Sequence, residues 1–215
     1  MKHSRLLATA VFAGAGLATL FCLGCATVPR YTLHLLPSPA AGQGPTTTLT
    51  IGLVPFEDAR PQPQFLGTIT DGDNKSDIVL ESSSPANDVT YILRRTLRDR
   101  GIRIVDLESW IPDPEHLKDL PEDVDVVFAG RIEAMEVNAE QALVNAKVKY
   151  RVRLSAKVGF KEKGVVVTES SEIMPEETLL FRFNPEHVQE TLNTTLADAL
   201  NRLLDAVLKP GPKSG

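Results

Sequence analysis

The chain has 215 residues, 28 of them acidic and 23 basic, with four histidines and two cysteines, and a formal net charge of −5. That balance excludes a general nucleic-acid binder, whose phosphate contacts require a basic surface. Two neighbouring cysteines cannot staple a fold of this length, so a hydrophobic core must hold it, and the chain is long enough to bury one.

In chain order, MKHSR (1–5) is a cationic head, residues 6–23 are almost wholly apolar, and no acid precedes Glu57. Such a head and apolar run form an export signal, to be set aside in fold reasoning. An uncleaved anchor helix is the competing reading, because the run approaches the length of a membrane span. A redox or metal Cys-x-x-Cys pair belongs at a helix start in a folded domain, a setting that CLGCA (22–26) lacks. Leu23-Gly24-Cys25-Ala26 resembles the bacterial lipobox, whose cysteine is lipidated and becomes the first residue after cleavage. The resemblance implies loss of residues 1–24 with Cys22, lipidation of Cys25, and a mature chain with 21 basic and 28 acidic residues, net −7. Several acyl chains hold firmly to a bilayer, whereas one alone is marginal. Lipoproteins retained at the inner membrane typically carry Asp where Ala26 stands, so the same resemblance implies the periplasmic face of the outer membrane.

Residues 25–48 are rich in proline and nearly free of charge, as expected of a lipid-anchored tether. Within it, residues 31–36 are able to dock on the domain or add an edge strand. A single domain is expected over 49–208, with a disordered tail at 209–215. LTIGLVPF (49–56) reads as a buried strand. The stretch from 58 to 86 has no sustained period and is expected to be a poorly protected loop. Its segment DGDNKSD (71–77) has the carboxylate density of a calcium loop. Ser76 and Ser82 stand where that loop needs glycine and glutamate, so no metal is expected.

Val89, Ile92, Leu93 and Leu97 then repeat at helical spacing, with Asn87 or Asp88 as the cap and Gly101 as the stop. IRIVDL (102–107) follows as a strand, expected parallel to and beside 49–56. Strands at 124–137, 142–160 and 165–174 come next. The second alternates throughout, with Val148, Tyr150 and Val152 facing one way and Lys147, Lys149, Arg151 and Arg153 the other. Asn184-Pro185 caps a final helix whose stripe includes Val188, Leu192, Leu196, Leu200 and Leu203. The fold class expected is α+β, a two-layer sandwich with a mixed, mostly antiparallel sheet of about five strands and two helices on one face.

The patterns that catalysis needs are missing: no nucleophile elbow, zinc-helix motif, phosphate loop or dinucleotide fingerprint occurs. His34, His116 and His187 are scattered without spaced partners, so neither a metal nor a cofactor is expected. The acid pairs Glu57-Asp58 and Glu176-Glu177 read as solvated turns rather than acid–base machinery. Asp58 and Arg60 leave the first domain strand together, where the carboxylate can accept loop N–H groups while the guanidinium clamps the loop.

A hairpin loop at 138–140 would set Ile132 opposite Ala146 and leave Lys147, Lys149 and Arg151 unpaired, joined by Arg131. Such a positive strip suits an anionic partner: lipid headgroups, glycan phosphate or an acidic protein surface. A plain solvated face is the competing reading.

IGLVPFEDARP (51–61) with Leu66-Gly67 resembles the YajG-type bacterial lipoproteins, and VTYILRRTLRDRGIRIV (89–105) extends the likeness loosely. CATVPRYTLHLLP (25–37) is similar to the start of the ABC-transport auxiliary lipoproteins. Both imply an envelope lipoprotein without catalysis. The expected function is a periplasm-facing binding or assembly module. The alternatives are an auxiliary subunit of an envelope lipid-transport system and a small envelope hydrolase. Its partners are then the membrane, through the lipid anchor, and an envelope protein or anionic envelope component, with no nucleic acid.

Overall fold

The computed structural model of the chain describes residues 28–37 and 49–208. The export segment, Cys25, residues 38–48 and the 209–215 tail lie outside the described residues. One open, mixed sheet contains β1 (Arg30–Leu33), β2 (Thr50–Asp58), β3 (Phe65–Asp71), β4 (Asn74–Leu80) and β5 (Arg103–Asp106). It continues with β6 (Val126–Gln141), β7 (Asn145–Phe160), β8 (Val165–Ile173) and β9 (Glu176–Leu180). Two α-helices, α1 (Pro85–Asp99) and α2 (Pro185–Leu208), and a short 3-10 helix at Pro114–Asp119 complete the described elements. The class is α+β, but among the described residues the sheet has nine strands rather than about five.

The long ribbon of β6 and β7 organises the sheet. β7 pairs antiparallel along the whole of β6, and β2 and β3 share the other β6 edge at 126–132 and 139–141. On the far edge of β7, β8 covers 152–160 and β9 covers 145–149. β5 lies parallel to β2, from Thr50 opposite Arg103 to Leu53 opposite Asp106. α1 packs on β2 and β5, and α2 on β7, β8 and β1.

The helices follow from their stripes. Val89, Ile92, Leu93 and Leu97 of α1 are buried, as are Val188, Leu192, Leu196, Leu200 and Leu203 of α2. The α1 cap is Ser84 rather than Asn87 or Asp88, and its side chain makes no capping bond. Pro85 explains the earlier start: its fixed φ suits the first turn, and its missing N–H leaves one donor fewer to satisfy. Gly101, at φ +74°, turns the chain out of α1 as expected. Asn184 Oδ1 accepts from the backbone of Glu186 at 3.0 Å and His187 at 3.3 Å, capping α2.

Two further expectations are corrected. The 58–86 stretch is not an unprotected loop but carries the hairpin β3–β4, whose Leu66, Ile69, Ile78 and Leu80 enter the core. The two-residue turn at its tip begins with Gly72 at φ +57°, a conformation glycine adopts without strain. Opposite the tip, Gly67 sits at a bulge with φ +153°, where a Cβ would lie 2.2 Å from the Val137 carbonyl oxygen. The domain also starts before residue 49, and the edge-strand option for 31–36 is the one realised, so this part of 25–48 is not a free tether. β1 pairs parallel with β4, and its last residue, Leu33, is fully buried. Past β1, His34 N donates to Gln189 Oε1 at 2.8 Å and Leu36 N to Asn193 Oδ1 at 3.0 Å, tying this segment to α2.

Truncating Leu33 tests whether the amino-terminal strand belongs to the core. Leu33→Ala is expected to cost about 2–4 kcal/mol in urea unfolding of the full chain. A loss below about 0.5 kcal/mol, the size of an ordinary surface change, would mean the strand is a dispensable tether.

Candidate functional site

Three side-chain constellations bear on function. The first is the clamp at the end of β2. Asp58 and Arg60 form a two-pronged pair, Nε to Oδ1 at 2.9 Å and Nη2 to Oδ2 at 2.7 Å, with side chains 8% and 6% exposed. Asp58 Oδ1 also accepts the Arg60 backbone N–H at 3.1 Å. Arg60 Nη1 donates to the Met135 carbonyl at 3.3 Å, and Nη2 to that of Pro63. One guanidinium thus ties the turn after β2 to the middle of β6. A carboxylate so fully engaged positions a loop and has no free lone pair aimed at a substrate.

Breaking one half of this pair should cost more than removing both. Asp58→Ala leaves a buried guanidinium unpaired, for an expected loss of about 3–5 kcal/mol, and the double variant Asp58→Leu with Arg60→Met should recover much of it. Urea unfolding of the three proteins checks this. A double variant no more stable than Asp58→Ala would contradict the clamp.

The second constellation is the open sheet face, and here the register corrects the sequence reading. β6 continues to Gln141, so the hairpin loop is 142–144 rather than 138–140. Ile132 faces Leu154, not Ala146. A bulge between Ile132 and Ala134 then shifts the face on which each residue stands, setting Glu136 opposite Arg151 and Glu140 opposite Lys147. β9, absent from the expected elements, brings Glu176 opposite Lys149.

The cations are accordingly paired. Lys147 meets Glu176 at 2.8 Å, and Arg151 meets Glu172 at 2.8 Å and Glu136 at 3.6 Å. Arg131 lies 3.8 Å from Glu57 and 3.9 Å from Glu133. The hydrogen bond between them holds Lys147 above and Glu176 below their ordinary values. Of the four candidate cations, Lys149 alone makes no ion pair within 4.0 Å among the described residues. The face is a ladder of alternating charge rather than a bare positive strip. Beside it, Thr68, Thr70, Asn138, Glu140, Lys147 and Lys149 line a shallow, open depression of about 220 Å³. Its hydroxyls, amide, carboxylate and two amines suit a small polar group and supply no activated nucleophile.

The third constellation was missed in the sequence. Tyr150, on the buried face of β7, donates its hydroxyl to Glu177 Oε1, and His187 Nε2 lies 2.9 Å from Glu177 Oε2. Burial first, and then the adjoining carboxylate, push the Tyr150 hydroxyl far above the ordinary tyrosine range. Burial alone would raise Glu177, but the bonds from Tyr150 and His187 outweigh it and hold the carboxyl below its ordinary value. The trio fastens β9 and the start of α2 to β7. The signal available was Tyr150 itself: a tyrosine on an apolar face needs a partner for its hydroxyl.

Both directions set the pH dependence of stability. Glu177, lowered on folding, adds stability above its ordinary value of 4.5 that is lost as pH falls through the folded value. Tyr150, raised on folding, adds stability below its ordinary value of 10.0 that is lost as pH rises beyond it. In chemical denaturation at a series of pH values, Glu177→Gln should flatten the acid limb and Tyr150→Phe the alkaline limb. Limbs unchanged in both variants would remove this trio as the cause.

Cys25 lies outside the described residues. Among the described residues no group of three His, Cys, Asp or Glu side chains is arranged to hold a metal, and no helix is long and apolar enough to cross a membrane.

No family model and no curated protein matches the chain. Similarity lies in three dimensions. Protein XCC0632 from Xanthomonas campestris, described under the DUF330 family, is similar over 85% of this chain and 95% of its own, at 14% identity and a TM-score of 0.52. That likeness is one of fold: an open mixed sheet carrying two helices. The putative neuraminyllactose-binding hemagglutinin homolog from Helicobacter pylori is similar over 82% of this chain and 95% of its own, at 12% identity and a TM-score of 0.42. Lipoprotein GNA1162 from Neisseria meningitidis is similar over 73% and 99%, at 12% identity and a TM-score of 0.40.

Proposed function

We propose that this chain is an envelope lipoprotein, anchored through Cys25 at the periplasmic face of the outer membrane, whose domain is a non-catalytic binding or assembly module. The observation that carries the reading is Leu23-Gly24-Cys25-Ala26 lying immediately ahead of the folded segment, which is described from Val28 and enters the sheet at Arg30. A lipidated cysteine there holds the domain against a bilayer. The likeness of 51–61 to YajG-type lipoproteins supports it too, since the Asp-Ala-Arg-Pro turn of that motif is the one the Asp58–Arg60 pair clamps.

The candidate acids support a non-catalytic role because they are already engaged. Glu57 approaches Arg131, Asp58 holds Arg60, Glu176 holds Lys147, and Glu177 holds Tyr150 and His187. An auxiliary subunit of an envelope lipid transporter is the second reading. It is favoured by the stretch 25–37 that carries the likeness, of which residues 28–37 are folded into the domain as β1 and its bonds to α2.

Fatty-acid labelling tests the anchor. Cys25→Ser should abolish incorporation and leave an unprocessed or misplaced precursor, while Cys22→Ser should change neither. Equal loss in both variants would overturn the assignment. Crosslinking from intact envelopes separates the two functional readings, since recovery of a transporter complex selects the auxiliary subunit.

A further inference from the structure

We propose that the end of the sheet formed by Leu143, Val144, Leu180 and Phe181 inserts into the bilayer surface and sets how the domain stands on the membrane. The proposal rests on the lipid-anchor reading above. These four large apolar side chains are 101%, 71%, 79% and 77% exposed. Such a cluster on a soluble domain marks an interaction site rather than ordinary surface.

They form one patch. Leu143 and Val144 lie in the β6–β7 turn, Leu180 pairs with Asn145, and Phe181 N donates to the Val144 carbonyl at 2.8 Å. The patch is braced from below. Gln141 Nε2 lies 2.7 Å from the carbonyl of Ala142 and 3.0 Å from those of Asn145 and Phe181, while Phe183 N donates to Gln141 Oε1 at 2.8 Å. Phe181 has φ +76°, the one positive φ outside glycine among the described residues. The fold therefore holds an aromatic ring outward in a backbone conformation that an L-residue adopts only under constraint.

The path of the chain identifies the occupant. β3 ends at Asp71 opposite Gln141, the last residue of β6, and β4 starts at Asn74 across the turn from Asp71. β1 runs parallel to β4, so the amino-terminal chain enters the domain at this same end. Tyr31 meets Phe183, two residues from Phe181, edge-on at 5.2 Å. From Val28 back to Cys25 the chain can span at most about 10 Å. An acylated Cys25 thus keeps the apolar end within reach of the headgroups. Exposed charges of both signs surround the patch, Asp71, Asp73 and Lys75 on the neighbouring hairpin and Arg182 beside Phe181, so the contact proposed is the apolar one and does not call for an anionic surface.

The test uses the full, acylated chain in phosphatidylcholine vesicles whose acyl chains carry bromine, which quenches tryptophan at bilayer depth. Phe181→Trp and Leu143→Trp, made separately, place reporters on the patch. Trp110 is the internal reference: it packs against Gly159, near the opposite end of β7 and roughly 45 Å along the strand from Asn145. The proposal expects the added emission to be lost in brominated lipid, at low and at molar salt alike, while Trp110 stays bright. Acylated, vesicle-bound protein with both reporters bright overturns the docking and leaves the anchor standing, and self-association of that protein would assign the patch to a second copy. A chain bearing no acyl group at Cys25 overturns both readings.

Discussion

The pairing of β6 with β7 is the constraint on which the rest of the structure depends. Each strand has 16 residues, long enough that two shorter strands fit along each outer edge of the ribbon. Their inward side chains, among them Phe128, Ile132, Met135, Leu154 and Val158, form the floor on which α1 and α2 lie. The bulge after Ile132 decides which side chains of the second half of β6 share that floor. A strand alternates with period two, so one extra residue exchanges the faces of everything beyond it. Met135 and Val137 thereby enter the core, and Glu136 and Glu140 face the cations of β7.

Much of the framework was legible because its signals are local and strong. The stripe of α1, the Asn184 cap, the stop at Gly101 and the parallel neighbours β2 and β5 follow from period, cap chemistry and crossover geometry. The Asp58–Arg60 geometry was legible for a similar reason: two residues apart at a strand exit, opposite charges reach each other with little loss of chain entropy. What was not legible depends on partners distant in sequence. β9 reads EETLL after Met174-Pro175 and covers one edge of β7, so it shows no buried run of its own. β1 was legible only as an option, an edge strand or docked segment at 31–36, because it lies in a proline-rich stretch and is strand only where β4 offers it an edge. The β3–β4 hairpin was hidden by a polar first half in β4 and by the bulge at Gly67, although Asp71-Gly72 was a turn signal worth weighing.

The same long-range pairings change the reading of the open face. A row of cations on one strand looks like a binding strip when its neighbours are unknown. With Glu136, Glu172 and Glu176 in place it becomes a sheet surface of nearly balanced charge, in which solvated pairs contribute little to stability. The feature that stands out is instead apolar and lies at the end where β6 turns into β7, because the loop falls at 142–144 and β9 ends beside it. One register thus fixes the core, the charge ladder and the tip together.

That register is measured most directly by interstrand Hα–Hα and amide contacts in the nuclear magnetic resonance spectrum of the isotope-labelled protein. The account predicts Phe128 opposite Val158, Met135 opposite Val152, and Glu140 opposite Lys147, with the pairing offset by one residue across Glu133. Contacts joining Ile132 to Ala146, or a turn centred on residues 138–140, would contradict it.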